Sequence, residues 1–119
     1  MYVKKTLAAA QHVPKLSAAS CFYGIPPATF ADPSKIPSSV AIQCHFGEKD
    51  HSKGFSDKAS ALALKEKLSN SGHDVSEFHL YPDADHAWMN EDRPAYPYNA
   101  KLAAEAMKKT VSFFKRHLL

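Results

Sequence analysis

Long apolar runs, blocks of basic residues and glycine-rich segments are all missing from this sequence of 119 residues. No apolar stretch approaches the roughly 20 residues that a membrane-spanning helix needs, and Leu7-Ala8-Ala9-Ala10 is too short for the apolar region of a signal peptide. The lysines are spread along the chain, so the formal charge of +3 gives no support for nucleic-acid binding. We therefore expect a cytoplasmic protein whose partners include neither a membrane nor nucleic acid.

Cysteine is also scarce, since Cys21 and Cys44 are the only two. Each lies in a predicted strand, and we expect both to be buried, reduced thiols rather than a disulfide. The apolar fraction of 45% and the charged fraction of 23% are those of an ordinary soluble globular protein. The length predicts one domain over residues 1–119, with a modest core.

The predicted elements follow the order helix, strand, strand, helix, strand, helix. Helices are predicted at 2–12, 57–71 and from 98 or 99 to 117, and strands at 16–23, 40–46 and 75–81. Ser56 is predicted to cap the second helix, and the proline-rich segment 24–39 is predicted to be an irregular loop. Short buried strands that alternate with helices favour an α/β fold, with a parallel sheet of about three strands flanked by helices.

Two loops that follow predicted strands carry residues suited to acid–base chemistry. Asp50 comes just after the second strand, and His86 just after the third. In parallel α/β sheets, ligands bind beyond the carboxyl ends of the strands, and adjacent strands would bring both residues to one edge. An Asp followed by a His is the later part of a nucleophile–Asp–His triad in α/β-hydrolase order. We expect a carboxylate oxygen within about 3.5 Å of an imidazole nitrogen.

Three segments resemble the dienelactone hydrolase family. His45-Phe46-Gly47-Glu48-Lys49-Asp50 is similar to the family pattern His-Phe-Gly-x-x-Asp. Tyr81-Pro82-x-Ala84-x-His86-Ala87 is similar to its Tyr-Pro-Gly-Ala-x-His-Ala-Phe, and Asp92-Arg93-Pro94-Ala95-Tyr96 to its Arg-Pro-Ser-Tyr segment. The resemblance covers nearly the whole chain. It implies a three-layer α/β-hydrolase-like half-fold that hydrolyses a small-molecule ester or lactone without a cofactor.

The resemblance also implies roles for single residues. Asp50 is then the triad acid and His86 the triad base, and we expect Trp88 and Arg93 to bind substrate. The family's nucleophile sits in a Gly-x-Cys-x-Gly turn, which should fall at or just before Met1, yet residues 1–4 contain neither glycine nor a nucleophile. The sequence is therefore expected to correspond to the C-terminal half of a family member and to be inactive alone.

Two alternative hypotheses for the same residues remain. A metal site could draw on a set of side chains whose types suit zinc, namely His45, Glu48, Asp50, His51 and His86. No tight His-x-x-x-His motif supports it, and we expect no metal. A non-catalytic binding or assembly module is the main alternative to a hydrolase. The first strand carries no charge or proline to protect an edge, so we also expect a homo-oligomer formed through that edge.

Overall fold

The computed structural model describes residues 5–92 and 97–118. These residues form three helices, α1 (Lys5–His12), α2 (Lys58–Asn70) and α3 (Ala100–Leu118), and three strands, β1 (Ala18–Phe22), β2 (Ala41–Gly47) and β3 (Phe78–Tyr81). The predicted order is confirmed. Residues 2–4 of the first predicted helix lie outside the described residues.

The strands form one parallel sheet in the order β1-β2-β3. Alternate residues of β2 point to opposite sides, and both sides are covered. Ile42, Cys44 and Phe46 belong to a core shared with α1 and α2, whereas α3 packs on the other face. The α/β class and the three layers predicted from the sequence are therefore confirmed.

β3 begins at Phe78 and is shorter than predicted, because residues 75–77 form a turn, although the Glu77 carbonyl still accepts from the Cys44 amide of β2 at 3.1 Å. The Ser76 amide donates to the Asp74 carboxylate at 2.8 Å, and the Phe78 amide donates to the Val75 carbonyl at 3.2 Å. Alternation of apolar and polar residues at 75–77 indicated a strand, but the local hydrogen bonds of Asp74 favour a turn there.

Two further expectations about local structure are wrong. The proline-rich loop contains one turn of 3-10 helix, Pro33–Lys35, because the Asp32 carboxylate accepts from the Ser34 amide at 3.0 Å. The residue that precedes the first turn of α2 is Asp57 and not Ser56. Ser56 is fully buried and does not cap the helix.

Both cysteines are free and buried, as predicted. Cys21 and Cys44 are partners in the β1–β2 register, and Cys21 donates to the Gly24 carbonyl at 3.1 Å. The hydrogen bond with Cys21, together with burial, raises the pKa of the Cys44 thiol. The reactive form of cysteine is the thiolate, so the raised pKa makes Cys44 unreactive. Both side chains are buried in the core. No helix in the described part of the chain is long and apolar enough to cross a membrane.

Candidate active site

The site lies where β2 and β3 end side by side. Gly47 and Tyr81 are the last residues of these strands and are partners in the register. The loops that follow are joined by backbone hydrogen bonds, from the Glu48 amide to the Tyr81 carbonyl at 2.9 Å and from the Lys49 amide to the Ala84 carbonyl at 3.0 Å. Segments far apart in sequence therefore leave the sheet together.

Gly47 allows the two loops to approach this closely. A Cβ atom at this position would lie 2.4 Å from the Ala84 carbonyl oxygen and 2.7 Å from that of Asp85. Backbone atoms cannot yield as a flexible side chain can. The absence of a side chain at Gly47 thus lets the His86 loop rest directly on the end of β2.

Asp50 and His86 are in direct contact. An Asp50 Oδ2 oxygen lies 2.8 Å from His86 Nδ1, within the distance expected from the sequence. The Asp50 side chain is fully buried, and that of His86 is 12% exposed. The other carboxylate oxygen of Asp50 accepts from the Ser52 amide at 2.8 Å. The acid is therefore fixed by its own loop, while the imidazole remains at the surface of the site.

Hydrogen bonds keep Asp50 ionised in spite of its burial. Burial by itself would raise the pKa of Asp50, but hydrogen bonds from His86, from the Ser52 amide and from Ser56 lower it below its usual value. An ionised carboxylate only accepts hydrogen bonds. His86 Nδ1 must then carry the proton, which leaves Nε2 as the basic nitrogen of the neutral ring.

Ser56 is a site residue that the sequence analysis missed. Its hydroxyl lies 3.1 Å from His86 Nδ1, and its amide donates to the Ser52 carbonyl at 3.0 Å. The loop from Ser52 thus turns back and carries Ser56 inward, instead of presenting it to α2. The segment Gly54-Phe55-Ser56 could have indicated a serine of the site, but the predicted helix after it favours a capping role for Ser56.

Aromatic side chains surround the imidazole. The Tyr23 and Phe55 rings lie 5.3 Å and 6.0 Å from that of His86, centroid to centroid. Tyr23 has a φ of 34° and Ala87 a φ of 54°, in the left-handed region that side chains other than glycine rarely adopt. Strained backbone of this kind is held in place by its surroundings and concentrates at functional sites.

The two predicted substrate-binding residues differ in what the structure describes. Trp88 is fully buried and packs on Tyr23 and Tyr81, with ring centroids 4.9 Å and 5.0 Å away. Its indole nitrogen has no hydrogen-bond partner among the described residues. Arg93 lies outside the described residues. Substrate binding by either stays a prediction.

The five candidate metal ligands do not converge on one point. His45 lies beneath α3 and contacts Tyr81 at 2.8 Å, whereas Asp50 contacts His86. In residues 5–92 and 97–118, no three His, Cys, Asp or Glu side chains are placed to hold a metal ion.

Comparison with known proteins points to one family. The sequence profile of the dienelactone hydrolase family matches residues 4–118. The structure is similar to that of a "Putative Dienelactone Hydrolase" from Klebsiella pneumoniae subsp. pneumoniae MGH 78578, with a TM-score of 0.77 and 22% sequence identity. That similarity covers 96% of this chain and 48% of the other, so this chain spans about half the length of its structural neighbour. No curated protein is significantly similar to the chain.

Proposed function

The chain belongs to the dienelactone hydrolase family, and from that premise we propose that Asp50 and His86 are the acid–base pair of an ester- or lactone-hydrolysing site. The 2.8 Å contact between Asp50 Oδ2 and His86 Nδ1 carries this proposal. It supports an imidazole held in one tautomer, in which Nε2 is the basic nitrogen. The buried Ser56 hydroxyl lies beside His86 Nδ1 and helps to position the pair.

The chemistry proceeds through two acyl-transfer steps. A thiol or hydroxyl nucleophile attacks the carbonyl carbon and gives its proton to His86 Nε2, and the Asp50 carboxylate stabilises the imidazolium. Collapse of the tetrahedral intermediate breaks the bond to the leaving oxygen, which takes that proton from His86. Water then attacks the acyl group with His86 again as base, which releases the acid and restores the nucleophile.

We assign the nucleophile to a polypeptide segment other than residues 5–92 and 97–118. Cys21 and Cys44 are buried in the core on the strands. Ser56 is buried against Nδ1 of His86, on the side of the ring that Asp50 occupies. The chain by itself is therefore proposed to be inactive. We also propose a cytoplasmic location, which the two unbridged thiols support.

A test of the acid–base pair is the tautomer of His86, read from its ring nitrogen chemical shifts by NMR. We expect Nδ1 to be protonated and Nε2 unprotonated in the neutral ring. In the Asp50→Ala variant that preference should be lost. His51 is exposed, and the His51→Ala variant should keep the preference. A neutral His86 protonated at Nε2 in the parent chain would contradict the proposal.

Inactivity of the chain alone is tested with p-nitrophenyl acetate. We expect no burst, and a rate per molecule no higher than that of free imidazole at equal concentration. Mass spectrometry should find no stoichiometric acylation. An acylated chain whose label disappears in the Cys21→Ala, Cys44→Ala or Ser56→Ala variant would show that the nucleophile lies within this chain.

A non-catalytic binding or assembly module is the second candidate function. Burial of both thiols favours it, because catalysis through a covalent intermediate needs an exposed nucleophile. A folded chain that is inert and also lacks the Nδ1-protonated tautomer would favour this second function.

A further inference from the structure

A cavity of about 430 Å³ lies at the amino-terminal ends of β2 and β3, on the edge of the sheet opposite the candidate active site. The start of β2, the turn at residues 73–77 and the end of α3 line it. Its volume is within the usual range for sites that bind small ligands. Among the lining residues, Val40 and Phe113 are apolar and buried, whereas Arg116 is charged and exposed. The cavity therefore offers both apolar and polar contacts to a ligand.

β2 begins at Ala41 and extends past the start of β3, whose first residue, Phe78, is the register partner of Cys44. The Cys44 amide donates to the Glu77 carbonyl at 3.1 Å. Residues two apart in a strand direct their backbone groups the same way, so the N–H and C=O groups of Ile42 also point toward the β3 side of β2. Within residues 5–92 and 97–118, no group forms a hydrogen bond with either of them. The start of β2 therefore carries a donor and an acceptor that the sheet does not use.

These backbone groups of Ile42 face the cavity. Ile42 is one of the lining residues, yet it is only 6% exposed and its side chain belongs to the core shared with α1 and α2. The part of Ile42 that borders the cavity is therefore its backbone. Buried backbone N–H and C=O groups almost always have a partner, and in antiparallel pairing one residue supplies both an acceptor and a donor to the residue opposite. A ligand with a carboxylate and an amino group on one carbon has the spacing of such a residue.

Arg116 adds a positive charge to the same cavity. Its guanidinium donates to Glu77 Oε1 at 2.5 Å, and the other oxygen of Glu77 accepts from His79 at 3.1 Å and from Gln43 at 3.5 Å. Three partners thus hold Glu77, which in turn fixes the guanidinium. In the described part of the chain Arg116 has no other hydrogen-bond partner, and a guanidinium has five N–H donors. The remaining donors suit the carboxylate of a ligand.

The charges around the cavity favour a ligand that also carries an amino group. Asp74 and Glu77 are acidic, and Arg116 is the one residue with a permanent positive charge among the described lining residues. Hydrogen bonds from Ser76 lower the pKa of Asp74, so this carboxylate is ionised at neutral pH. A simple anion would therefore meet a surplus of negative charge, whereas the ammonium group of an amino acid would offset that surplus.

We propose that this cavity binds a free α-amino acid with an apolar side chain. The ligand carboxylate accepts from the Ile42 N–H and from the Arg116 guanidinium, and the ligand ammonium group donates to the Ile42 C=O. The side chain of the ligand lies against Val40 and Phe113. This inference goes beyond the proposed hydrolysis and does not depend on it, because the described lining residues do not include the acid–base pair.

Titration of the isotope-labelled chain with L-leucine, followed by NMR at constant ionic strength, tests the site. We expect saturable shifts of the Ile42, Glu77 and Arg116 amide signals, with a dissociation constant of about 1–10 mM for a ligand of this size. Isocaproate lacks the ammonium group and isoamylamine lacks the carboxylate, so each should bind at least about tenfold more weakly. The absence of saturable shifts up to about 50 mM leucine would overturn the proposal, as would equal binding of isocaproate.

A pair of variants tests the role of the guanidinium. Arg116→Gln should weaken leucine binding at least about tenfold. Lys115→Gln is the matched control and should leave the affinity unchanged, because Lys115 is the adjacent exposed cation of α3 but is not among the residues that line the cavity. An unchanged affinity in a folded Arg116→Gln variant would overturn the proposal. If that variant does not fold, the comparison of the three ligands on the parent chain still decides.

N-acetyl-leucine tests whether the ligand is a free amino acid or the C-terminal residue of a peptide. Acetylation removes the positive charge that offsets Asp74, so we expect binding several-fold weaker than that of leucine. Tighter binding of N-acetyl-leucine would overturn the assignment to a free amino acid.

Discussion

His86 and His45 lie in adjacent regions of the same sheet and are held in opposite ways. His86 is on the loop after β3 and contacts the Asp50 carboxylate at 2.8 Å. His45 is within β2, fully buried beneath α3, with its Nδ1 2.8 Å from the Tyr81 hydroxyl. Its ring stacks on Phe22 at a centroid distance of 4.4 Å. One histidine has a charged partner beside solvent, and the other has neutral partners within the core.

Burial, with the nearby His79 and Lys109, keeps His45 uncharged. Burial lowers the pKa of His45 to about 3, and burial raises that of its partner Tyr81. The Thr110 hydroxyl donates to the Ala106 carbonyl and therefore accepts from His45 Nε2 at 3.4 Å, which leaves Nδ1 to accept from Tyr81. A carboxylate would have stabilised a proton on this ring. Burial without a carboxylate partner therefore excludes His45 from proton exchange.

The largest expected effect is on the free energy of unfolding as the pH falls, and it arises from His45 alone of the two histidines compared. Above pH 6.5, His45 is neutral in both the folded and the unfolded chain. Below pH 6.5 the unfolded chain binds a proton that the folded chain does not, until the pH reaches about 3. The free energy of unfolding should therefore fall by about 3 kcal/mol between pH 6.5 and pH 4 because of His45.

Urea denaturation at several pH values measures this effect. His45→Asn should remove most of the dependence over that range. A parent chain as stable at pH 4 as at pH 6.5 would contradict the assignment of His45 as a buried neutral group.

Substitution of Gly47 affects the His86 region alone. In Gly47→Ala, the new Cβ meets the Ala84 carbonyl oxygen at 2.4 Å and forces the His86 loop away from β2. We expect a loss of about 1–3 kcal/mol in unfolding free energy and loss of the Asp50–His86 contact in the NMR spectrum of His86. At Gly54 no atom beyond the adjacent residues lies within 4 Å of an added Cβ, although its φ is +74°. Gly54→Ala should therefore cost about 1 kcal/mol and leave His86 unchanged.

Removal of the Tyr81 hydroxyl affects the His45 region. Tyr81→Phe leaves His45 Nδ1 buried without its hydrogen bond, and we expect a loss of about 1–2 kcal/mol in unfolding free energy by urea denaturation. Tyr98→Phe, at a tyrosine that is 41% exposed, is the control and should change stability little. The tautomer of His86 should be the same in both variants.

The smallest effect is expected at the surface of the His86 loop. Lys49 and Asp83 form an ion pair at 3.8 Å, but their side chains are 62% and 82% exposed. Lys49→Ala should change the unfolding free energy by less than about 0.5 kcal/mol. A loss above 1 kcal/mol would mean that the ion pair, and not the backbone bonds between the two loops, joins them.

Much of the fold was predictable, because the signals are local. The order of helices and strands, the parallel sheet and the end of β3 at Pro82 follow from periodicity and turn residues over short windows. The errors at Val75 and Ser56 arose where a polar side chain forms a hydrogen bond that the local pattern did not indicate. Asp74 bonds within its own turn, and Ser56 turns inward to a histidine 30 residues away.

Local patterns specify which elements form, and they place Asp50 and His86 just beyond two strands. The packing of those elements brings the two side chains into contact, adds Ser56 to them and buries His45 with Tyr81. Those contacts span 30 to 36 residues. They depend on the register of β2 and β3 and on the covering helix, which no local pattern encodes.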